Sequence, residues 1–145
     1  SVAMIRTELK RRAVEGLPVD VVVVDYADLL DPPPGLREAR DKVNAIWKEL
    51  RALAAEMNCL VVTATQANAE SYRRKTQDMR NFSEDKRKLA HASGVIGINQ
   101  TPDEKARGIQ RLNWLVLRED DFVTQRTLAV ANCFPLAMPI VRSCF

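Results

Sequence analysis

The chain has 145 residues, 46% of them hydrophobic and 28% charged, with a formal net charge of +3. That balance is one soluble domain's worth with room for a sizeable core, and it excludes disorder, fibres and any span of the roughly 18 apolar residues a bilayer requires. No signal peptide opens the chain, and Cys59, Cys133 and Cys144 are too widely spaced for a zinc ribbon or disulfide framework, so a reducing, cytoplasmic setting fits.

Val2, Ile5, Leu9 and Ala13 recur close to helical spacing, with Arg6, Lys10, Arg11 and Arg12 between them. This predicts a helix over 2–15, stopped by Gly16 and Pro18. The run Val19–Asp25 follows, with four consecutive valines closing on an acid. A β-branched run that does not alternate predicts a strand buried on both faces, typical of a parallel sheet between helices. The carboxyl ends of such strands form the ligand edge, which places Asp25 there. An apolar run ending in Asp is also the pattern of a Walker B strand, whose carboxylate helps hold Mg²⁺ on a nucleotide. Buried strands often end in Asp for ordinary reasons, so the pattern alone decides little.

Asp31-Pro-Pro-Pro-Gly35 ends regular structure. Leu36, Ala39, Val43, Ile46, Trp47, Leu50, Leu53, Ala54 and Met57 then mark an amphipathic helix with Asn58 as its stop. Trp47 lies on the apolar stripe and reads as core. Cys59–Thr65 predicts a second buried strand, ending at Gln66. Strand, helix, strand is a right-handed βαβ unit, so Asp25 and Gln66 are expected at the same sheet edge. A carboxylate and an amide there suit a metal and a phosphoryl group or water; the plainer reading is that Gln66 caps its strand.

Between Tyr72 and Lys88 seven basic residues face three acids, with Tyr72 and Phe82 interleaved. Arg73, Arg74, Lys75, Arg80, Lys86, Arg87 and Lys88 in a loop with aromatics suit a single-stranded nucleic-acid backbone, although charge runs are usually solvated surface. His91 has no ligand neighbours and needs no special role. Gly94–Asn99 predicts a third strand and 101–108 a polar turn or loop. Gln110–Leu117 and Thr127–Cys133 predict two more strands, joined through 119–125 in a hairpin that Arg118 opens. Pro139–Cys144 adds a short edge strand.

The order of these pieces resembles the second half of the RecA-like ATPase domain of DnaB-type replicative helicases, through most of the chain. Val21-Val-Val-Val-Asp25-Tyr26 followed by Leu29-Leu30 is similar to that family's Walker B strand and its Asp-Tyr continuation. Leu50–Asn58 and the strand to Thr65-Gln66 are similar to its next helix and sensor strand, where Ser-Gln is more usual. Ser83–Gly94 falls where the family has an Asp-Leu-Arg-x-Ser-Gly-like segment and is degenerate here. Arg118 falls at the family's basic finger, but the usual Lys-x-Arg reads Val116-Leu117-Arg118, so the lysine position is apolar.

The resemblance implies an α/β, three-layer RecA-like core of P-loop NTPase type over residues 1–145, with a mostly parallel sheet. That core would be incomplete at its N-terminal side. None of Gly16, Gly35, Gly94, Gly97 and Gly108 begins a Gly-x-x-x-x-Gly-Lys-Ser/Thr loop. In the family that loop and the catalytic glutamate lie upstream of the Walker B strand. The resemblance therefore gives the chain part of a motor: Asp25 on Mg²⁺ through water, Gln66 sensing the terminal phosphate, and Arg118 acting on a ring neighbour's nucleotide. The loop from Tyr72 to Lys88 would track single-stranded DNA. ATP and Mg²⁺ would bind only with the upstream half supplied, and the chain alone is expected not to hydrolyse ATP. The absent P-loop strand leaves a slot in the sheet, which predicts self-association or swapping of elements. The other reading is a non-catalytic RecA-like module that binds DNA or a helicase partner. A recombinase or clock-type relative shares the Asp25 logic but not the Asp-Tyr detail.

Overall fold

The structure is a computed structural model that describes residues 1–66, 86–123 and 126–144. Its residues fall into two compact units: Ser1–Gln66 with Arg87–Ala92, and a second built on the chain from Ser93 onward.

In the first unit, α1 (Val2–Val14) buries Val2 and Leu9. Arg11 and Arg12 in its last turn complement the negative helix end. It closes with Leu17 N–H on Arg12 O at 2.9 Å and Gly16 N–H on Ala13 O at 3.1 Å, a Schellman motif. That motif needs the left-handed backbone Gly16 adopts at φ 77°. The strand β1 (Val21–Val24) follows, then a 3-10 turn (Ala27–Leu29), α2 (Ala39–Met57) and β2 (Leu60–Thr63). The second helix starts three residues later than the apolar stripe suggests, because Gly35 turns the chain at φ 90° and Glu38 is still extended. It ends at Asn58 in the left-handed conformation, as expected of a residue that tolerates it. The βαβ unit is realised: β1 and β2 pair in parallel, Val21 opposite Leu60 through Val24 opposite Thr63. A single turn, α3 (Lys86–Leu89), brings the chain back into this unit from Arg87 on.

Ile46, Trp47, Leu50 and Leu53 of α2 join Val2, Leu9, Val24 and Ala27 in the core, with Val22 and Val61 packed against it. The helices thus cover one sheet face. The other is bare: Val21 is 51% exposed, Val23 73%, Leu60 60% and Val62 42%. The expectation of strands buried on both faces is corrected here. Burial alternates along β1 and β2, because no described element of this unit covers the second face.

The second unit is an antiparallel meander, β3 (Gly94–Asn99), β4 (Ile109–Leu117), β5 (Leu128–Cys133) and β6 (Met138–Cys144), in that spatial order. Short connections return each strand beside its predecessor, so this part runs antiparallel, and among the described residues parallel pairing is confined to β1 and β2. The polar segment 101–108 is not simply a loop, since Pro102–Ala106 form α4. Thr101 Oγ1 accepts the Glu104 N–H at 3.3 Å, and Glu104 Oε2 accepts the Thr101 N–H at 2.7 Å, closing a capping box with Pro102 in the first turn. Glu104 also pairs with Arg111 of β4 at 2.6 Å, tying the helix to the sheet.

Candidate functional site

The parallel register fixes the site's plan. With Val24 opposite Thr63, the carboxyl ends of β1 and β2 share one edge. Asp25 leaves that edge directly after Val24, and Gln66 leaves it three residues after Thr63. Both are exposed.

Two threonines, spaced so that their side chains fall on the same side, tie the strand exits together. Thr63 Oγ1 accepts the Ala27 N–H at 2.9 Å and donates to the Val24 carbonyl at 2.8 Å, bracketing Asp25. Thr65 Oγ1 donates to Asp28 Oδ2 at 2.7 Å. Asp28 sits in the 3-10 turn, three residues after Asp25, and its carboxylate gathers two more donors. Trp47 Nε1 of α2 reaches Oδ1 at 2.9 Å, and Lys88 Nζ of α3 reaches Oδ2 at 3.2 Å. Trp47 is 7% and Lys88 8% exposed. Burial alone would push the Asp28 carboxyl up, but the hydrogen bonds from Thr65 and Trp47 and the Lys88 ammonium outweigh it and hold it below the usual range.

Asp28 is not singled out by the sequence, and Lys88 reads there as part of the basic loop facing single-stranded DNA; the structure corrects that placement, since Lys88 is buried against the Asp28 carboxylate. The one signal was their type: an acid shortly after the strand-end acid, and a lysine inside a charge run that otherwise reads as solvated. Trp47 does lie in the core, and its indole N–H also anchors Asp28.

The remaining expected site residues distribute as follows. Arg87 is exposed and pairs with Asp41 of α2 at 3.1 Å, and His91 Nε2 lies 3.0 Å from Asn44 Oδ1. Both contacts dock the α3 segment on α2. Lys86 begins α3. Arg73, Arg74, Lys75 and Arg80 lie outside the described residues. Arg118 belongs to the second unit, follows β4 and is exposed, and its N–H donates to Ser93 O at 3.0 Å.

Among the described residues no cluster of three His, Cys, Asp or Glu side chains could cage a metal. A lone exposed carboxylate at a strand end fits a Mg²⁺ that keeps several waters and takes other oxygens from a phosphate ligand. Among the described residues, no helix is long and apolar enough to cross a membrane.

A search of curated protein sequences finds no match. Solved structures share the fold, and two of them illustrate it. One is "The Structure Of A DnaB-Like Replicative Helicase And Its Interactions With Primase", with TM-score 0.78 and 16% identity, covering 92% of this chain and 33% of that one. The other is a solved ATPase domain, with TM-score 0.78 and 17% identity, covering 92% of this chain and 49% of that one. The chain thus spans a third to a half of the solved chains it matches, and its α/β fold is of their RecA-like class. The family model of the DnaB-like helicase C-terminal domain matches residues 1–91, which include both strand exits and the whole Asp28 network. The chain belongs to the DnaB-like helicase C-terminal domain family.

Proposed function

We propose that this chain is part of the motor domain of an ATP-dependent DnaB-like DNA helicase, and that it supplies one side of the nucleotide site. The observation that carries the reading is the parallel β1–β2 pair, which delivers Asp25 and Gln66 to one edge inside the region the family model matches. In this reading Asp25 is the Walker B carboxylate. It would hold Mg²⁺ through water, and the ion would supply charge neutralisation at the phosphates. Gln66 would face the terminal phosphate or the attacking water with its amide. Arg118 would act on a neighbouring subunit's nucleotide, and the basic segment from Arg73 to Arg87 would follow single-stranded DNA in a cytoplasmic replication setting. Phosphoryl transfer depends on positioning and charge stabilisation, which are what an acid, an amide and an arginine at fixed strand ends can provide.

The chain would then be one partial RecA-like domain over 1–145, with ATP and Mg²⁺ bound only together with an upstream half that carries the P-loop. The bare face of β1 and β2 supports this, because a three-layer α/β core covers both faces of its sheet. Among the described residues β2 pairs with β1 on one edge, and its other edge, open to a further strand, supports it too. The test compares Mg²⁺-dependent ATP turnover of the parent polypeptide with that of the isolated chain. Turnover is expected in the first and not in the second; hydrolysis by the isolated chain would overturn this division of the site.

One observation favours a second reading, a non-catalytic interaction or DNA-binding module: Arg118 is preceded by Val116 and Leu117 where the family's finger carries a lysine. A glycine-rich loop ending in Lys-Ser or Lys-Thr upstream of Ser1 separates the motor from the module.

A further inference from the structure

We propose that Asp28 and Lys88 are positioning residues for Gln66, acting through the Thr65 hydroxyl; the inference rests on the reading of Gln66 as the phosphate-facing sensor. The β1–β2 ladder stops at Thr63, so among the described residues no strand pairing holds the backbone of 64–66. Thr65 is fixed instead by its side chain, through the 2.7 Å hydrogen bond to Asp28 Oδ2. Gln66 is the next residue, exposed, and takes its direction from where Thr65 is held.

Asp28 can serve as a fixed point because it is triangulated. Trp47 holds one oxygen from α2, and Lys88 holds the other from α3. The α3 segment is itself anchored by fully buried Leu89, by Arg87 on Asp41 and by His91 on Asn44. Apolar side chains of similar volume would fill this space without the cost of desolvating an ion pair. What the carboxylate adds is direction, since hydrogen bonds fix angles that apolar contacts leave free. A sensor amide needs direction, because a misplacement of about 1 Å in a reacting constellation can cost about a hundredfold in rate. The same carboxylate holds the turn that follows Asp25, so one group sets the spacing of both strand exits.

The test is a double-mutant cycle on ATP turnover in the full parent polypeptide, using Thr65→Val, Asp28→Asn and Gln66→Ala singly and in pairs. Thr65→Val and Asp28→Asn are each expected to lower kcat about tenfold, with KM for ATP changed less than about twofold. Neither should lower kcat further once Gln66 is alanine, because residues acting through one group are not additive. Lys88→Arg should keep most of the turnover that Lys88→Met loses. Thr65→Val removes only a hydroxyl, so it carries the test if Asp28→Asn fails to fold. The positioning role is overturned if Thr65→Val turns over at the parental rate while Gln66→Ala is impaired. It is equally overturned if the Thr65→Val loss persists undiminished beside Gln66→Ala. Parental turnover in Gln66→Ala itself would remove the sensor reading, a separate failure.

Discussion

Thr63 Oγ1 accepts the backbone N–H of Ala27 at 2.9 Å, so the exit of β1 is fastened to β2 by a side chain where the ladder has run out. Ala27 is fully buried, and without this hydroxyl its N–H would have no acceptor there. Thr63→Val keeps the shape and removes the acceptor, and should destabilise the first unit by about 1–3 kcal/mol. Urea unfolding of the two proteins measures it; equal midpoints would show that the bond contributes nothing.

The Asp28 network predicts an acid-sensitive fold. The carboxyl is held below its ordinary range by Thr65, Trp47 and Lys88 against the opposing effect of burial. A depressed folded pKa contributes stability that is fully present above the unfolded value, about 3.9 for Asp, and is lost as pH falls through the folded value. Unfolding free energy should therefore drop below about pH 4, and Asp28→Asn should flatten part of that drop. Parallel slopes in the two proteins between acid and neutral pH would contradict this assignment. Glu8, lowered to about 2 by hydrogen bonds from Arg11 and Arg12, lies on the surface of α1 and is untouched by the comparison.

Val21, Val23, Leu60 and Val62 form an exposed apolar face that invites another chain. The isolated chain should self-associate, with a weight-average mass that rises with concentration in sedimentation. Val23→Lys, at the most exposed of the four, should shift it toward monomer without lowering its melting temperature by more than a few degrees. A clean monomer at high concentration in the unsubstituted chain would count against the prediction.

Single-stranded DNA binding by the basic segment would be dominated by phosphate contacts. The logarithm of the binding constant should then fall linearly with the logarithm of salt, at about 0.7 per phosphate neutralised. Replacing Arg73, Arg74 and Lys75 together by alanine should reduce that slope. A flat salt response, or no binding at low salt, would remove the role.

Much of this architecture was legible because local chemistry and fold agree. Gly16 and Asn58 mark helix ends where the backbone turns left-handed, and the β1–α2–β2 order carries its own parallel pairing. Thr101-Pro-Asp-Glu104 also spelled a capping box, but its helix is five residues long and has no apolar stripe, so periodicity passed it over. The valine run misled in the opposite sense: it records a strand suited to burial on both faces, whereas coverage depends on segments outside β1 itself. At the site, Asp25 and Gln66 were legible as strand ends. The pairing of Asp28 with Lys88 was not, because 60 residues separate them and only the folding of α3 onto α2 brings the lysine to the carboxylate.

The proposed motor role depends above all on Asp25 serving as the Walker B carboxylate of a shared nucleotide site. Its most direct measurement is steady-state ATP hydrolysis by the parent polypeptide carrying Asp25→Ala, with folding checked by circular dichroism. The expected result is a correctly folded protein whose turnover falls at least about a hundredfold, roughly the loss of a positioned charge stabiliser. A folded Asp25→Ala protein that hydrolyses ATP at the parental rate would contradict it.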